Sequence, residues 1–234
     1  MKGKFELSNK KGLIFGATGF VGSEVAKNLS SRGTEIILHG KSKESLVKLE
    51  TKLAGFNNKK TFLEFNLENL DLYSSLPQMI SKRTNHIDFF INAVGKFQGL
   101  FPLTHLSSKM WNDLIEINLN SYWRTLHCVE PFLKQAIDAR IIFFTCSEIA
   151  SGLPFYNIFS VCKAGIEAIS KVYREENKNL GLKVHLVSIK PFNQGMTLNL
   201  NTQQNENKDE ISSVVEKVIN KCMDNTTDEL IITV

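Results

Sequence analysis

The stretch GLIFGATGFVGSEVAKNL, from Gly12 to Leu29, joins a short apolar run to a helix-like pattern through three glycines that are three residues apart. Gly16 permits a tight turn, Gly19 removes a side chain so that backbone N–H groups can approach a pyrophosphate, and Gly22 lets the helix lie close to the strand. Because strand, glycine loop and helix follow one another in this order, the stretch predicts a dinucleotide-binding turn. The alternative is a glycine-rich turn without a ligand.

Outside this stretch, apolar runs alternate with segments in which apolar residues are three or four apart, as strands and helices require. The runs predict seven strands, at residues 12–16, 35–39, 61–66, 87–92, 139–145, 183–189 and 229–234. Helices are predicted at 21–29, 45–53, 110–133 and 164–173, with Ser107 or Ser108 as an N-cap and a kink near Pro131. Strands that are apolar throughout and are joined by helices form parallel sheets covered on both faces. We therefore predict a doubly wound α/β architecture, a seven-stranded parallel Rossmann-like sheet with helices on both faces.

Composition indicates one globular domain over residues 1–234. The chain has 28 Lys and Arg against 24 Asp and Glu, a net charge of +4, and acids interleave with the bases, so nucleic acid is not an expected partner. No run of about 18 apolar residues and no signal-peptide core is present, so we expect a cytoplasmic protein without membrane contact. The spacing of Cys128, Cys146, Cys162 and Cys222 predicts neither a metal site nor a disulfide scaffold. The polar stretch near 198–209 predicts a flexible loop.

The end of the second predicted strand carries cations where an NAD site carries an acid. His39, Gly40 and Lys41 stand there, Lys43 follows, and no carboxylate lies between His39 and Glu44. Lysines in place of the acid suit a 2′-phosphate, so the sequence predicts NADP(H) as the preferred cofactor and NAD(H) as the alternative. On the simpler interpretation, Lys41 and Lys43 belong to a solvated loop.

Two further strand ends supply candidate cofactor contacts, because ligands of such sheets lie beyond the carboxyl ends of the strands. Asn66 and Leu67 follow the third strand and are placed to meet the adenine. Asn92, Ala93 and Gly95 follow the fourth strand in a turn of small residues, where a bulky side chain would block the cofactor.

Taken with the second half of the chain, these features resemble the short-chain dehydrogenase/reductase family from about Lys11 to about Pro191. The second half contributes the triplet Ile117-Asn118-Leu119, the end of the fifth strand at Cys146 and Ser147, Lys163, and Pro191 after the sixth strand. The resemblance implies NAD(P)-dependent oxidoreduction on one domain, assembled as a homodimer or homotetramer through the long fourth and fifth helices. It also implies cofactor contacts from Gly16, Thr18, Gly19, Phe20, Val21, Gly22, Lys41, Asn66, Leu67, Asn92, Ala93, Gly95, Lys163 and Pro191.

In the mechanism that this resemblance implies, a Tyr gives a proton to the substrate carbonyl. A Lys four residues later lowers the pKa of that Tyr and holds the ribose, a Ser orients the carbonyl, and an Asn supports the proton relay. Here the Asn is Asn118 and the Lys is Lys163, but the Tyr position holds Phe159. Residues i and i+4 share a helix face, so Phe159 points where the phenol should be and has no proton to give. The Ser position holds Cys146, with Ser147 next to it.

Several groups are candidate substitutes for the missing proton donor. Tyr156 lies in a predicted loop and either leans into the pocket or forms part of its wall. The other candidates are Glu148 and a water relayed by Asn118 and Lys163. Cys146 is also a candidate nucleophile, but no base is identifiably paired with it, so a small buried residue is the simpler interpretation.

The sequence leaves two functions open. The first is an NADP-dependent oxidoreductase that acts on a small-molecule carbonyl or alcohol through an altered active site. The second is a catalytically inactive relative that binds the dinucleotide and serves as a sensor or scaffold. The glycine loop and Lys163 favour the first function, and Phe159 favours the second.

Overall fold

The computed structural model describes residues 7–190, 208–224 and 229–233. Seven strands lie within these ranges: β1 Lys11–Phe15, β2 Glu35–Gly40, β3 Lys60–Glu64, β4 Phe89–Asn92, β5 Arg140–Thr145, β6 Lys183–Ser188 and β7 Ile231–Thr233. The same ranges hold eight α-helices: α1 Phe20–Ser30, α2 Lys43–Lys52, α3 Leu76–Ser81, α4 Ser108–Ile115, α5 Ser121–Leu133, α6 Ser147–Ala150, α7 Asn157–Asn177 and α8 Lys208–Met223.

The strands form one parallel sheet in the order β3-β2-β1-β4-β5-β6-β7. Leu13 of β1 pairs with Ile37 of β2 on one side and with Phe90 of β4 on the other. After β3 the chain crosses to the opposite side of β1, which opens a crevice beyond the carboxyl ends of β1 and β4. The predicted doubly wound, seven-stranded sheet is confirmed.

Both faces of the sheet are buried, and alternate strand residues serve the two layers. Leu13 and Phe15 pack in a core with α3, α5 and α7, whereas Ile14 between them packs in a second core with α1, α2 and α8. This alternation explains why the strands are apolar at nearly every position.

The predicted helix 110–133 was wrong in one respect, because it is interrupted. The α4 and α5 helices are joined by a π-turn at Glu116–Asn120, while Pro131 lies inside α5. Ser107 caps α4 as expected, since its hydroxyl accepts a hydrogen bond from the Met110 backbone N–H at 3.2 Å. An interruption of this kind leaves the apolar spacing nearly unchanged, so periodicity alone does not reveal it.

Three other features differ from the predictions. The helix predicted at 164–173 begins at Asn157 and ends at Asn177, so Lys163 lies inside α7. The short helices α3 and α6 were not predicted, because four to six residues show too little periodicity. Residues 198–207 of the predicted polar loop lie outside the described residues, and its end at 209 was wrong because α8 begins at Lys208.

All four cysteines are buried and unpaired. In the described part of the chain no group of three His, Cys, Asp or Glu is arranged to hold a metal ion. Within the same residues, the helices are too short or too polar to cross a lipid bilayer.

Candidate functional site

The glycine loop between β1 and α1 requires its glycines for three different reasons. Gly16 has a φ of +73°, and a Cβ there would lie 2.9 Å from the Ala93 carbonyl carbon. A Cβ on Gly22 would lie 2.1 Å from the Gly16 oxygen, so this glycine permits the close packing of α1 on the loop. Gly19 is the N-cap of α1, and a Cβ there would meet only the Gly16 oxygen, at 3.2 Å. Gly19 therefore leaves open space at the start of the helix.

His39, at the end of β2, holds this loop in place. Its Nδ1 accepts a hydrogen bond from the Gly16 backbone N–H at 3.1 Å, and its Nε2 contacts the Phe65 carbonyl at 2.8 Å. These partners place the single ring proton on Nε2. Burial lowers the pKa of His39 to about 4, although the Phe65 hydrogen bond opposes the shift. In the sequence His39 stands out only because it is not an acid; its position inside an apolar strand was the available signal of a structural role.

A polar cavity, which we call the charged cavity, lies beside the glycine loop at the carboxyl ends of β1, β2, β3 and β4. His39, Lys41, Glu68 and Lys96 border it. Of the predicted cofactor residues, those that line it are Gly16, Thr18, Gly19, Lys41, Asn66, Leu67, Ala93 and Gly95. The tertiary structure therefore brings together residues from four separate parts of the chain.

The predicted cation Lys41 has an anionic partner. Lys41 Nζ lies 2.5 Å from Glu68 Oε2, and Lys96 Nζ lies 3.3 Å from Glu68 Oε1. The hydrogen bond from Lys41 is the largest cause of a lowered Glu68 pKa, Lys96 adds to it, and burial opposes it. Glu68 was not predicted as a site residue, because no local sequence pattern shows that its side chain reaches Lys41.

Asn92 supports the turn after β4 from within the core. Its Nδ2 donates to Thr125 Oγ1 at 3.1 Å, and its Oδ1 accepts from the Val94 N–H at 3.0 Å. The Tyr122 hydroxyl donates to the Val94 carbonyl at 2.7 Å. These bonds fix the turn formed by Ala93, Val94 and Gly95, which borders the cavity, whereas Asn92 itself is fully buried.

A second cavity, which we call the aromatic cavity, lies on the other side of the glycine loop. Its walls include Phe97, Ile149, Tyr156 and Phe159. The predicted site residues that line it are Gly19, Phe20, Val21, Ala93, Gly95, Cys146, Tyr156, Phe159 and Lys163. Because Gly19 and the turn after β4 border both cavities, the two meet at the glycine loop.

Phe159 and Lys163 lie one turn apart on α7, as their spacing predicted. The Lys163 ammonium lies 5.1 Å from the centre of the Phe159 ring and donates a hydrogen bond to the Phe144 carbonyl at 3.0 Å. Burial lowers the pKa of Lys163 to about 8, against smaller opposing effects of Cys146 and Cys162. The phenyl ring therefore occupies the face of α7 next to the amine.

Tyr156, the residue before α7, brings a phenol to the same cavity. Its ring packs against Phe97 with centroids 5.7 Å apart, and Phe97 contacts the Phe159 ring at 5.3 Å. Among the described residues, nothing hydrogen-bonds the Tyr156 hydroxyl. Burial raises its pKa, and Cys146 and Glu148 add to the shift. The hydroxyl is therefore protonated at neutral pH.

The backbone on each side of Tyr156 is left-handed at residues other than glycine. Phe155 has a φ of +67° and Asn157 a φ of +44°. The Asn157 amide compensates by donating to the Phe155 carbonyl at 3.1 Å and to the Gly99 carbonyl at 3.2 Å. Backbone of this kind is found disproportionately at functional sites.

Cys146 and its neighbour Ser147 lie in different surroundings. Cys146 is buried in the aromatic cavity, where burial is the main cause of a raised thiol pKa. Ser147 is exposed at the start of α6 and, among the described residues, its backbone N–H donates to Ser188 Oγ at 2.9 Å. Ser147 lies outside the set of described residues that line the two cavities.

Asn118, in the π-turn, clamps the backbone of Lys96. Its Oδ1 accepts from the Lys96 N–H at 2.7 Å, and its Nδ2 donates to the Lys96 carbonyl at 2.9 Å and to the Leu114 carbonyl at 3.0 Å. Asn118 and Gly22 are outside the described lining of both cavities, and Pro191 lies outside the described residues. Asn118 thus acts on the charged cavity through Lys96.

The chain belongs to the short-chain dehydrogenase family, whose family profile, described as short chain dehydrogenase, matches residues 10–205. This confirms the resemblance, and with it a family of NAD(P)-binding oxidoreductases. The chain is similar to Nodulation protein G of Rhizobium sp. strain N33, with 30% identity over 204 residues that cover 86% of this chain and 81% of the relative. It is also similar to the 3-oxoacyl-acyl-carrier-protein reductase of Buchnera aphidicola, with 27% identity over 85% of this chain and 80% of the relative.

Solved structures show the same fold. A short chain dehydrogenase from Salmonella enterica serovar Typhi superposes with a TM-score of 0.88 at 16% identity, over 100% of this chain and 98% of that chain. A short chain dehydrogenase from Shigella flexneri 2a, complexed with NADP, superposes with a TM-score of 0.80 at 18% identity, over 86% of each chain.

Proposed function

We propose that this protein is an NADP(H)-dependent oxidoreductase that interconverts a carbonyl and an alcohol, with Tyr156 as the proton donor in place of Phe159. The observation that carries the proposal is that Tyr156 borders the same cavity as Lys163, Cys146 and Phe159. The substitution at position 159 removes one phenol from α7, and a second phenol stands next to it.

The residues of the two cavities fit a dinucleotide. Gly19 leaves the open space that a pyrophosphate requires, and the charged cavity supplies contacts for the adenosine. When bound, the nicotinamide of NADP(H) supplies the hydride chemistry. The Tyr156 hydroxyl, protonated at neutral pH, donates to the carbonyl oxygen, and Lys163 holds positive charge nearby. The rings of Phe97 and Phe159 exclude water and favour an apolar substrate.

Two observations support NADP(H) over NAD(H). The end of β2 carries Lys41 at the charged cavity and no acid. A structure similar to this chain was solved with NADP.

The second candidate is an inactive relative that binds the dinucleotide as a sensor or scaffold. It is favoured by the Phe159 ring beside the Lys163 ammonium and by the hydrogen bond of that ammonium to Phe144. In this arrangement the lysine is engaged by groups that have no proton to relay.

The homodimer or homotetramer stays a prediction, supported by the exposed Trp123 on α5, and the cytoplasmic location also stays a prediction.

The experiment begins with calorimetric titration of the protein with NADPH and, separately, NADH. Turnover is then measured on a panel of apolar aldehydes and ketones for the wild type, Tyr156→Phe, Phe159→Tyr and the double variant. Loss of a positioned acid lowers turnover about 10²- to 10⁴-fold, so we expect this loss in Tyr156→Phe with NADPH affinity unchanged. The double variant, with a phenol at the family position, should regain activity.

The outcomes separate the two candidates. Full activity of Tyr156→Phe would rule out Tyr156 as the donor. An inactive wild type that binds NADPH, together with an active Phe159→Tyr, would establish the inactive relative whose remaining site is preorganised. Binding of neither dinucleotide would overturn both candidates.

A further inference from the structure

A single carboxylate joins the strand ends that form the charged cavity. Glu68 follows β3, Lys41 follows β2, and Lys96 follows β4. The two lysines take different oxygens of the Glu68 carboxylate, Oε2 for Lys41 and Oε1 for Lys96. All three side chains belong to residues that border the cavity. The cavity therefore contains an ion-paired cluster, although the Lys41 side chain remains 66% exposed to solvent.

Local structure holds both ends of this cluster. The Glu68 backbone N–H donates to Asn66 Oδ1 at 3.2 Å, and the Asn69 N–H donates to the Asn66 carbonyl at 2.9 Å, so a tight turn fixes the position of Glu68. On the other side, Asn118 clamps the Lys96 backbone through both its amide atoms. The backbones of Glu68 and Lys96 are thus held in place before any ligand arrives.

The charges of the cluster bear directly on cofactor choice. Two lysines and one carboxylate sum to a single positive charge beside the ribose position of the adenosine. A 2′-phosphate carries about −1.5 to −2 charges at neutral pH and competes with the carboxylate for Lys41. A ribose hydroxyl is neutral and leaves the ion pair in place, with a carboxylate oxygen as a hydrogen-bond acceptor.

We propose that Glu68 is a specificity-determining residue: it is the resident counter-ion of Lys41, the 2′-phosphate of NADP(H) displaces it, and its charge limits the preference for NADP(H) over NAD(H). This rests on the proposed dinucleotide function. The Glu68 side chain is 31% exposed, so solvent screens the repulsion. We therefore expect Glu68→Gln to bind NADPH about tenfold more tightly and NADH within about twofold of the wild type.

The experiment is a set of calorimetric titrations with NADPH, NADH, 2′,5′-ADP and 5′-AMP, the last two differing only in the 2′-phosphate. The variants are Glu68→Gln, Glu68→Asp and the matched control Glu64→Gln, which lies at the exposed end of β3 outside the cavity. Glu68→Asp keeps the charge and should keep the wild-type ratio of the NADPH and NADH affinities to within about threefold. Glu64→Gln should leave both affinities unchanged.

A second arm removes the lysine. Lys41→Ala should weaken NADPH binding about tenfold and NADH binding little, because only NADPH offers a phosphate to Lys41. In the Lys41→Ala background, Glu68→Gln should increase the NADPH affinity less than in the wild type, because the Lys41–Glu68 ion pair is no longer there to be displaced. Equal gains in the two backgrounds would overturn the counter-ion role.

The results distinguish this proposal from the function on which it rests. Tight binding of both dinucleotides with an unchanged affinity ratio in Glu68→Gln would overturn the role of Glu68 and leave the oxidoreductase proposal intact. Loss of all binding in a folded Glu68→Gln would also overturn it, because Glu68 would then be required for binding itself. A wild type that binds no nucleotide would overturn both.

Discussion

The charged cavity and the aromatic cavity share the glycine loop but are built differently. In the charged cavity the polar side chains hold one another and the backbone: His39 bonds Gly16 and Phe65, and Glu68 pairs with Lys41. In the aromatic cavity the rings pack on each other. Among the described residues, nothing hydrogen-bonds the hydroxyl of Tyr156, which stands just before α7. Removing one partner from a buried hydrogen-bond network leaves another polar group unsatisfied. Packing between aromatic rings, in contrast, tolerates a phenyl ring in place of a phenol, because the two rings are similar in size.

The largest expected effect is at the junction of the two cavities. Gly19→Val should weaken binding of both dinucleotides at least about 100-fold, or about 3 kcal/mol, because its side chain fills the approach to the helix start. A Cβ at Gly19 would lie 3.2 Å from the Gly16 backbone oxygen, which is a tight contact, and Val is a poor N-cap, so the melting temperature should also fall by a few degrees. Calorimetry with NADPH and thermal unfolding measure the two quantities.

Gly55→Val is the matched control, because a Cβ at Gly55 has no atom within 4 Å. It should leave binding and stability unchanged. If Gly19→Val retains wild-type affinity for NADPH, the pyrophosphate does not approach the chain at this loop.

The next effect concerns the frame of the charged cavity. Burial lowers the pKa of His39 from 6.5 to about 4. The unfolded chain therefore binds a proton first as the pH falls, and the folded state loses stability between about pH 6.5 and pH 4, by up to about 3 kcal/mol. His39→Gln should be less stable than the wild type at pH 8 but should lose less stability on acidification. Urea unfolding across this pH range measures the difference in slope.

Two histidine variants serve as controls for this slope. Burial also lowers the pKa of His185, so His185 too makes the folded state less stable as the pH falls. His185→Gln should therefore remove the contribution of His185 to the slope. His127→Gln, at an exposed position, controls for the general removal of an imidazole. Parallel slopes in the wild type and His39→Gln would show that His39 is not buried as a neutral ring.

The smallest of these three effects is expected at Cys146. Cys146→Ser puts a hydroxyl where the family has one, and a hydroxyl is a better hydrogen-bond donor than a thiol. Turnover of an apolar ketone should rise about threefold, equivalent to less than about 1 kcal/mol of transition-state stabilisation. Cys128→Ser, at a buried cysteine outside the lining of both cavities, should not raise turnover. A fall of about 100-fold in Cys146→Ser would instead assign the thiol a role in the chemistry.

Most of the fold was predictable because its signals are local. Apolar strands, the glycine spacing and the i, i+4 relation of Phe159 and Lys163 depend on residues close in sequence, and the structure confirms each. The start of α7 was missed because the left-handed turn at Phe155 and Asn157 is held by a hydrogen bond to Gly99, 58 residues away. The π-turn was missed because its Asn118 is bound to Lys96, 22 residues away.

Residue type and short-range spacing were enough to predict the sheet, the glycine loop between β1 and α1, and the position of Phe159 one helical turn before Lys163. Two contacts become visible only in the folded chain: Lys41 pairs with Glu68, 27 residues away, and His39 bridges Gly16 and Phe65, 23 and 26 residues away. The tertiary structure also brings Tyr156 to the cavity of Lys163. The physical reason is that a parallel sheet gathers the carboxyl ends of strands separated by whole helices, so the charges that meet there are distant in sequence.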